Sequence, residues 1–280
     1  MRTIEYAQIA AAVREMCLEA NTVLPQDVEG ALRRAQEQEA SPLGRSVLDT
    51  VLENAALARS KPMALCQDTG MVVVFADVGQ DVHITGGLLT DAINEGVRQA
   101  YRDFFFRNSI VRDPLDRVNT QDNTPAVIHI SLAPGDQLRL LLAPKGFGSE
   151  NMSAVKMLKP AQGEKGIKEF VVQTVAQAGG NPCPPIIVGV GIGGTMEKAA
   201  LLAKRALFRP IGRRNPWEHL ARLEEELLEL INKTGIGPMG FGGTQTALEV
   251  FVEAYPTHIA GLPVAVNINC HAARHSEVVL

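Results

Sequence analysis

No stretch of this chain approaches the roughly 18 consecutive apolar residues of a membrane span, so no membrane role is expected. Basic charge is not in surplus either: 27 Lys and Arg stand against 31 Asp and Glu, a formal net charge of -4. Without a basic field a general nucleic-acid surface is excluded, although a few local arginines suffice for a small anion. Closely spaced cysteine pairs are missing. Four cysteines scattered over 280 residues match neither a secreted disulfide framework nor a short metal signature such as C-x-x-C. The start, Met1-Arg2-Thr3-Ile4-Glu5, lacks the apolar core of a signal peptide, which points to a cytoplasmic protein. Repeats, low-complexity tracts and obvious linkers are absent as well, so one large domain over residues 1–280 is expected.

An apolar share of 46% supports a substantial core. Tyr6, Ile9, Val13 and Met16 or Cys17 recur at helical spacing and give the first helix a buried stripe, in which Cys17 reads as a packed, inert thiol. Pro25 suits a helix start, and Ser41 to Ser60 reads as another helix, stopping at Lys61-Pro62. Met71 to Val78 has the β-branched, apolar character of a buried strand. A helix from about Leu88 to Phe106 precedes a polar passage through Arg107 and Asn123. Strands at Ala126 to Leu132 and Leu138 to Ala143 flank a Pro134-Gly135-Asp136 turn. Further on come helices at Lys165 to Ala178, Met196 to Leu207 and Glu218 to Lys233. Strands are expected at Ile186 to Val190, Thr246 to Ala254 and Leu262 to Asn269. The fold class is α/β, with mixed sheets flanked by helices.

Cys66, Cys183 and Cys270 sit in non-helical settings: Leu65-Cys66-Gln67-Asp68-Thr69-Gly70, Asn181-Pro182-Cys183-Pro184-Pro185 and Asn267-Ile268-Asn269-Cys270-His271. Three thiolates can hold a four-iron cluster and leave one iron without a protein ligand, open to a substrate oxygen. Chemistry alone leaves zinc and separate buried thiols as alternatives, although sulfur-rich coordination suits iron–sulfur at least as well.

Gly189-Val190-Gly191-Ile192-Gly193-Gly194 matches G-x-G-x-x-G between an expected strand and helix. An acidic ribose ligand at the end of a following strand is missing from the pattern. Glycines that let strand and helix approach closely are the plainer reading, with a small-anion site at the helix N-terminus as another.

Taken together and in order, a set of motifs resembles the α subunit of class I, iron–sulfur-dependent fumarate hydratase, with the L-tartrate dehydratase α subunit as a close relative. They are Cys66-Gln67-Asp68-Thr69-Gly70, Asn119-Thr120 with Asp122 to Ala126, Lys145-Gly146 with Gly148-Ser149-Glu150-Asn151, Cys183-Pro184-Pro185 leading to the glycine run, Gly235-Ile236-Gly237-Pro238, and Cys270-His271. The resemblance spans about Ser41 to His275. It implies a [4Fe–4S] cluster on Cys66, Cys183 and Cys270, and a hydro-lyase that interconverts fumarate and L-malate, with the open iron as Lewis acid.

The same resemblance suggests Gln67 and Asp68 at the substrate or its hydroxyl, Arg107 on a substrate carboxylate, and His258 as carboxylate ligand or proton shuttle. For Asp68 the competing reading is an Asx-type turn; for Arg107 it is a solvated helix-end charge, and for His258 a turn histidine. Gly146, Gly148 and Ser149 could offer amide or hydroxyl donors to a second carboxylate, unless the loop is a plain strand-to-helix turn. Phe147 stands where the family usually has glycine, and the Gly-Ser-Glu-Asn form of this loop is closer to fumarate than to tartrate enzymes. His271 and Arg274 would add positive charge near Cys270, or form a surface tail. Because the single-chain relatives carry further substrate arginines, a lysine and a base in a C-terminal region, a separate β subunit in a hetero-oligomer is expected to complete the site around a small dicarboxylate. Two readings from other classes are a nucleotide-dependent oxidoreductase resting on the glycine run and a non-enzymatic scaffold with inert thiols.

Overall fold

A computed structural model describes residues 2–61 and 63–280. In chain order the first elements are β1 (Arg2–Glu5), α1 (Tyr6–Thr22), α2 (Gln26–Gln38), α3 (Pro42–Ser60), β2 (Met71–Gly79), β3 (Val82–Thr85), α4 (Leu89–Asp103), β4 (Val127–Ala133) and β5 (Leu138–Lys145). There follow α5 (Phe147–Glu150), β6 (Ala154–Leu158), α6 (Gly163–Ala178), β7 (Ile186–Gly193), α7 (Met196–Ala206), α8 (Glu218–Asn232), β8 (Ala247–Tyr255), β9 (Leu262–Asn269) and β10 (Ser276–Val279). The expected helix stop at Lys61-Pro62 falls partly on Pro62, outside the described residues. The mixed α/β class is as expected. No helix among the described residues is long and apolar enough to cross a membrane.

The described residues form two compact units. Met1–Pro25, Ala55–Phe147 and Arg274–Leu280 make the first, and Gln26–Asn54 with Gly148–Ala273 make the second.

In the first unit a four-stranded sheet runs β10-β5-β2-β4, with β2 antiparallel to β5 and parallel to β4. Val72, Val74 and Ala76 alternate along β2, as Leu138, Leu140 and Leu142 do along β5, so one face of the sheet is continuously apolar. That face shares a core with Ile9, Val13 and Met16 of α1 and Ile93 and Val97 of α4. Cys17 belongs to the same core at 0% exposure, as its helical spacing implies. The α1 start is fixed by Gln8, whose Oε1 accepts the Glu5 N–H at 2.9 Å, satisfying a donor that the first helical turn leaves unpaired.

The second unit is built on a sheet ordered β6-β9-β7-β8, with β7 parallel to β8 and antiparallel to β9. Val188 and Val190 join Val250, Val252, Val264 and Val266 in a core closed by α6 and α8. Ala199 and Ala203 of α7 cluster with Ala265 of β9, and α7 packs on β7 and β9. A Cβ on Gly189 or Gly191 would collide with the carbonyls of Ala203 and Ala199 respectively. The glycine run therefore lies mostly inside a longer strand than expected, and its alternate positions let the α7 backbone approach β7.

Candidate functional site

In the first unit the chain leaves α3 and reaches β2 through the Cys66–Gly70 loop, which is braced from several directions. Asp68 Oδ1 accepts the Gly70 N–H at 3.0 Å, closing the expected Asx turn, and Oδ2 accepts the Phe147 N–H at 2.9 Å. A Cβ on Gly146 would stand 3.3 Å from Asp68 Oδ2, so Gly146 lies directly against that carboxylate. Tyr101 donates its hydroxyl to Thr69 O and to Gly70 O, the latter at 3.2 Å. Burial pushes the Tyr101 phenol well up, which keeps its proton available for these bonds. Asn123 Nδ2 adds a bond to Gly70 O at 3.1 Å.

Thr69 Oγ1 donates to Arg107 O at 2.9 Å, bringing the Arg107 segment alongside the same loop while the arginine itself is exposed. Gln67 is exposed, and Cys66 and Asp68 are half-buried.

Arg274 was expected either beside Cys270 as added charge or in a surface tail. It is 4% exposed. Its Nε donates to Pro144 O at 3.3 Å and its Nη2 to Asp68 O, so it ties β5 to the Cys66–Gly70 loop. The surface-tail reading fails because Ala272, Ala273 and Ser276 are buried too, and β10 pairs with β5.

In the second unit Cys183 precedes β7 and Cys270 follows β9. The register Ile187↔Asn269 places both at one end of the sheet. His271 joins them, since its N–H lies 3.3 Å and its ring Nδ1 3.0 Å from Cys183 O. Cys183 has φ 56, left-handed for a side-chain-bearing residue. The Met239 N–H donates to Pro184 O at 2.8 Å, and a Cβ on Gly180 would stand 3.2 Å from Gly240 Cα. The Gly235–Pro238 motif thus leads into the turn that buttresses the Cys183 loop. A Cβ on Gly148 would lie 3.6 Å from Asn181 O, which puts Gly148 against this loop as well.

Ser149 is only 3% exposed. Its neighbour Glu150 pairs with Lys204 and accepts Asn267 Nδ2 at 3.0 Å. Packing against α7 and β9 therefore accounts for the Ser-Glu part of this loop, which weakens it as a mark of fumarate over tartrate.

His258 lies elsewhere. It follows β8 and precedes β9, at the end of β7 opposite to Cys183 and Cys270, a strand length of roughly 20 Å. It is exposed, and its Nδ1 accepts the Ala260 N–H at 3.2 Å; Thr257 Oγ1 anchors the loop by donating to Gly194 O at 2.9 Å.

All four cysteines remain thiols. Burial pushes the Cys17 thiol up and out of reach of ionisation, whereas Cys66, Cys183 and Cys270 are each half-buried on a loop. That contrast fits three soft donors for an iron–sulfur group and a fourth cysteine that only packs. Among the described residues no three His, Cys, Asp or Glu side chains are grouped for a single metal ion. A cubane cluster spreads its cysteines over separate irons, so its ligands need not converge on one point.

Tyr101 is the group with no hint in the sequence; Asn123 figured only in the polar passage and the Asp122 to Ala126 motif, and the ties made by Arg274 and His271 were not expected. The position of His271 and Arg274 just after Cys270, and of Asn123 in its motif, hinted at roles.

The chain matches the family described as Fumarate hydratase (Fumerase) over residues 10–279. It is 44% identical over 275 residues to a Methanocaldococcus jannaschii protein provisionally named L(+)-tartrate dehydratase subunit alpha, covering 96% of each chain. It is 32% identical over 264 residues to the L(+)-tartrate dehydratase subunit alpha of Escherichia coli K12, covering 93% of this chain and 86% of that one. It is 33% identical over 262 residues to the protein of the same name from Escherichia coli UTI89. The chain therefore belongs to the class I fumarate hydratase family, as a hydro-lyase of the α-subunit type.

Proposed function

We propose that this chain is the cluster-bearing α subunit of an L(+)-tartrate dehydratase, acting with a β subunit. The observation that carries the choice of substrate is the full-length likeness to proteins of that name, 96% of both chains at 44% identity. Loss of water from tartrate yields an enol that tautomerises to a 2-oxo dicarboxylate, so the reaction needs a proton taken from carbon and a hydroxyl released. A [4Fe–4S] cluster on Cys66, Cys183 and Cys270, when bound, supplies Lewis acidity for the departing hydroxyl.

The chain's own residues orient the diacid. Arg107, exposed beside the Asp68 loop, offers a planar fork to one carboxylate, and the Gly146 and Gly148 amides serve the other. Gln67 and the half-buried Asp68 carboxylate face the hydroxyl end. Two backbone N–H groups hold Asp68 in one orientation, and lone pairs beyond those two bonds let it accept a hydrogen bond from the substrate hydroxyl and so orient it. The base for the carbon-bound proton is assigned to the β subunit, because His258 lies a strand length from the Cys183 and Cys270 end.

The second reading is reversible hydration of fumarate to L-malate, favoured by the family description. Anaerobic reconstitution with the β partner, followed by assays on tartrate and malate, separates the two. The proposal expects iron bound through three cysteines and preference for tartrate. Malate turnover with no tartrate activity overturns the substrate, and absence of iron overturns the mechanism.

A further inference from the structure

We propose that His271 is a positioning residue that clamps the Cys183 loop to the segment carrying Cys270, presetting two thiols before any iron arrives. The proposal rests on the cluster reading above, but its geometry lies wholly within the second unit. Two donors of one residue, the backbone N–H at 3.3 Å and the ring Nδ1 at 3.0 Å, converge on the single carbonyl of Cys183. A carbonyl oxygen can only accept, so in this contact Nδ1 carries the proton.

The clamp acts at a point that needs holding. Cys183 takes the left-handed conformation, φ 56, that L side chains adopt rarely and keep only where their surroundings over-determine it. Its own N–H is spent on Gly180 O at 3.0 Å, within the local turn, and Pro184 beyond it has no N–H to give. Support from outside the turn includes Met239 N–H on Pro184 O and His271 on Cys183 O. Of the two, the His271 bonds alone connect the Cys183 peptide to the Cys270 segment. The antiparallel register of β7 and β9 fixes where both loops start, and His271 fixes where the first one points.

The side chain requirement is specific. Asparagine places an amide N–H close to where Nδ1 stands, leucine provides none, and glutamine carries its amide one methylene too far. In the apo full-length chain, peptide-resolved alkylation should show Cys183 reacting about fivefold faster in His271→Leu than in wild type, the size expected for one lost hydrogen bond. His271→Gln should behave likewise, His271→Asn should stay near wild type, and Cys66 should be unchanged throughout.

After reconstitution, iron loss to a chelator should be several-fold faster in His271→Leu and restored by His271→Asn. Equal alkylation rates in wild type and His271→Leu would overturn the clamp. So would a His271→Asn variant as impaired as leucine, or a parallel rise at Cys66, since either means a general loss of structure. If wild type takes up no iron the cluster reading fails, while the alkylation contrast still decides the role of His271.

Discussion

The Asp68 carboxylate accepts the N–H of Phe147, at 2.9 Å from Oδ2. Its other oxygen closes the turn to Gly70 at 3.0 Å. One side chain thereby joins the loop before β2 to the loop after β5, and anything Asp68 does to a substrate it does from a fixed orientation. Asp68→Asn keeps one acceptor and presents an N–H to the other donor, whereas Asp68→Ala loses both bonds. The expected loss of stability is about 1–3 kcal/mol for alanine and less for asparagine. Turnover of the assembled enzyme should fall at least about a hundredfold in both, as expected when a group that orients the reacting hydroxyl is removed. Denaturant titration of the apo chain and steady-state kinetics check the two effects separately; full activity in Asp68→Asn would leave Asp68 only its turn.

Arg274 supports the same loop through Asp68 O and Pro144 O. Replacement by methionine keeps much of the buried volume but leaves Asp68 O and Pro144 O without their donor. Lysine loses the fork that reaches both carbonyls. Each variant should lower the unfolding free energy by about 2 kcal/mol, with lysine the milder, measured by urea unfolding. A surface-like change below about 0.5 kcal/mol would contradict its burial.

Glu39 of the second unit gives the chain an acid-sensitive joint. The side chain is fully buried, and that burial alone would raise its pKa. Backbone N–H groups of Ser41, Thr244 and Gln245 outweigh it and hold the carboxyl below its ordinary 4.5. A depressed folded-state pKa means the unfolded chain takes up the proton first. The contribution is therefore complete above the unfolded value and is lost as pH falls through the folded one, beginning near about pH 5. Glu39→Gln should lower stability at neutral pH and flatten the slope of stability against pH below about pH 5; unfolding curves at several pH values would show it.

His258 and the Cys183–Cys270 end of the second sheet are spatially separate. His258→Asn should therefore leave iron and sulfide content unchanged, whatever it does to turnover, because it stands about 20 Å along β7 from Cys183 and Cys270. Loss of iron in this variant, with folding intact, would contradict the sheet register.

Much of this molecule was legible locally. The apolar stripe of α1, the β-branched run of β2 and the strands β7 and β9 show their periods within a few residues, because the residues that set the period are chain neighbours. The short strands β1, β3, β6 and β10 were missed. Each owes its existence to a partner, as β10 does to β5, and a segment of four or five residues has too little pattern of its own. The expected helix over 88–106 stops at Asp103, where Phe104 caps it and Phe105 turns left-handed, a local event without a Gly or Pro to announce it.

The amino-acid order alone determined the mixed α/β class, which cysteine packs in a helix and which three sit on loops, and the likeness to the class I fumarate hydratases. Folding decided what those loops are tied to: Asp68 to Phe147, Arg274 to Asp68 and Pro144, His271 to Cys183, and His258 to the far end of its sheet. Those ties join residues distant in the chain, and their energies depend on strand register and burial. No periodicity in a short window carries that information, because both exist only once the sheets have closed.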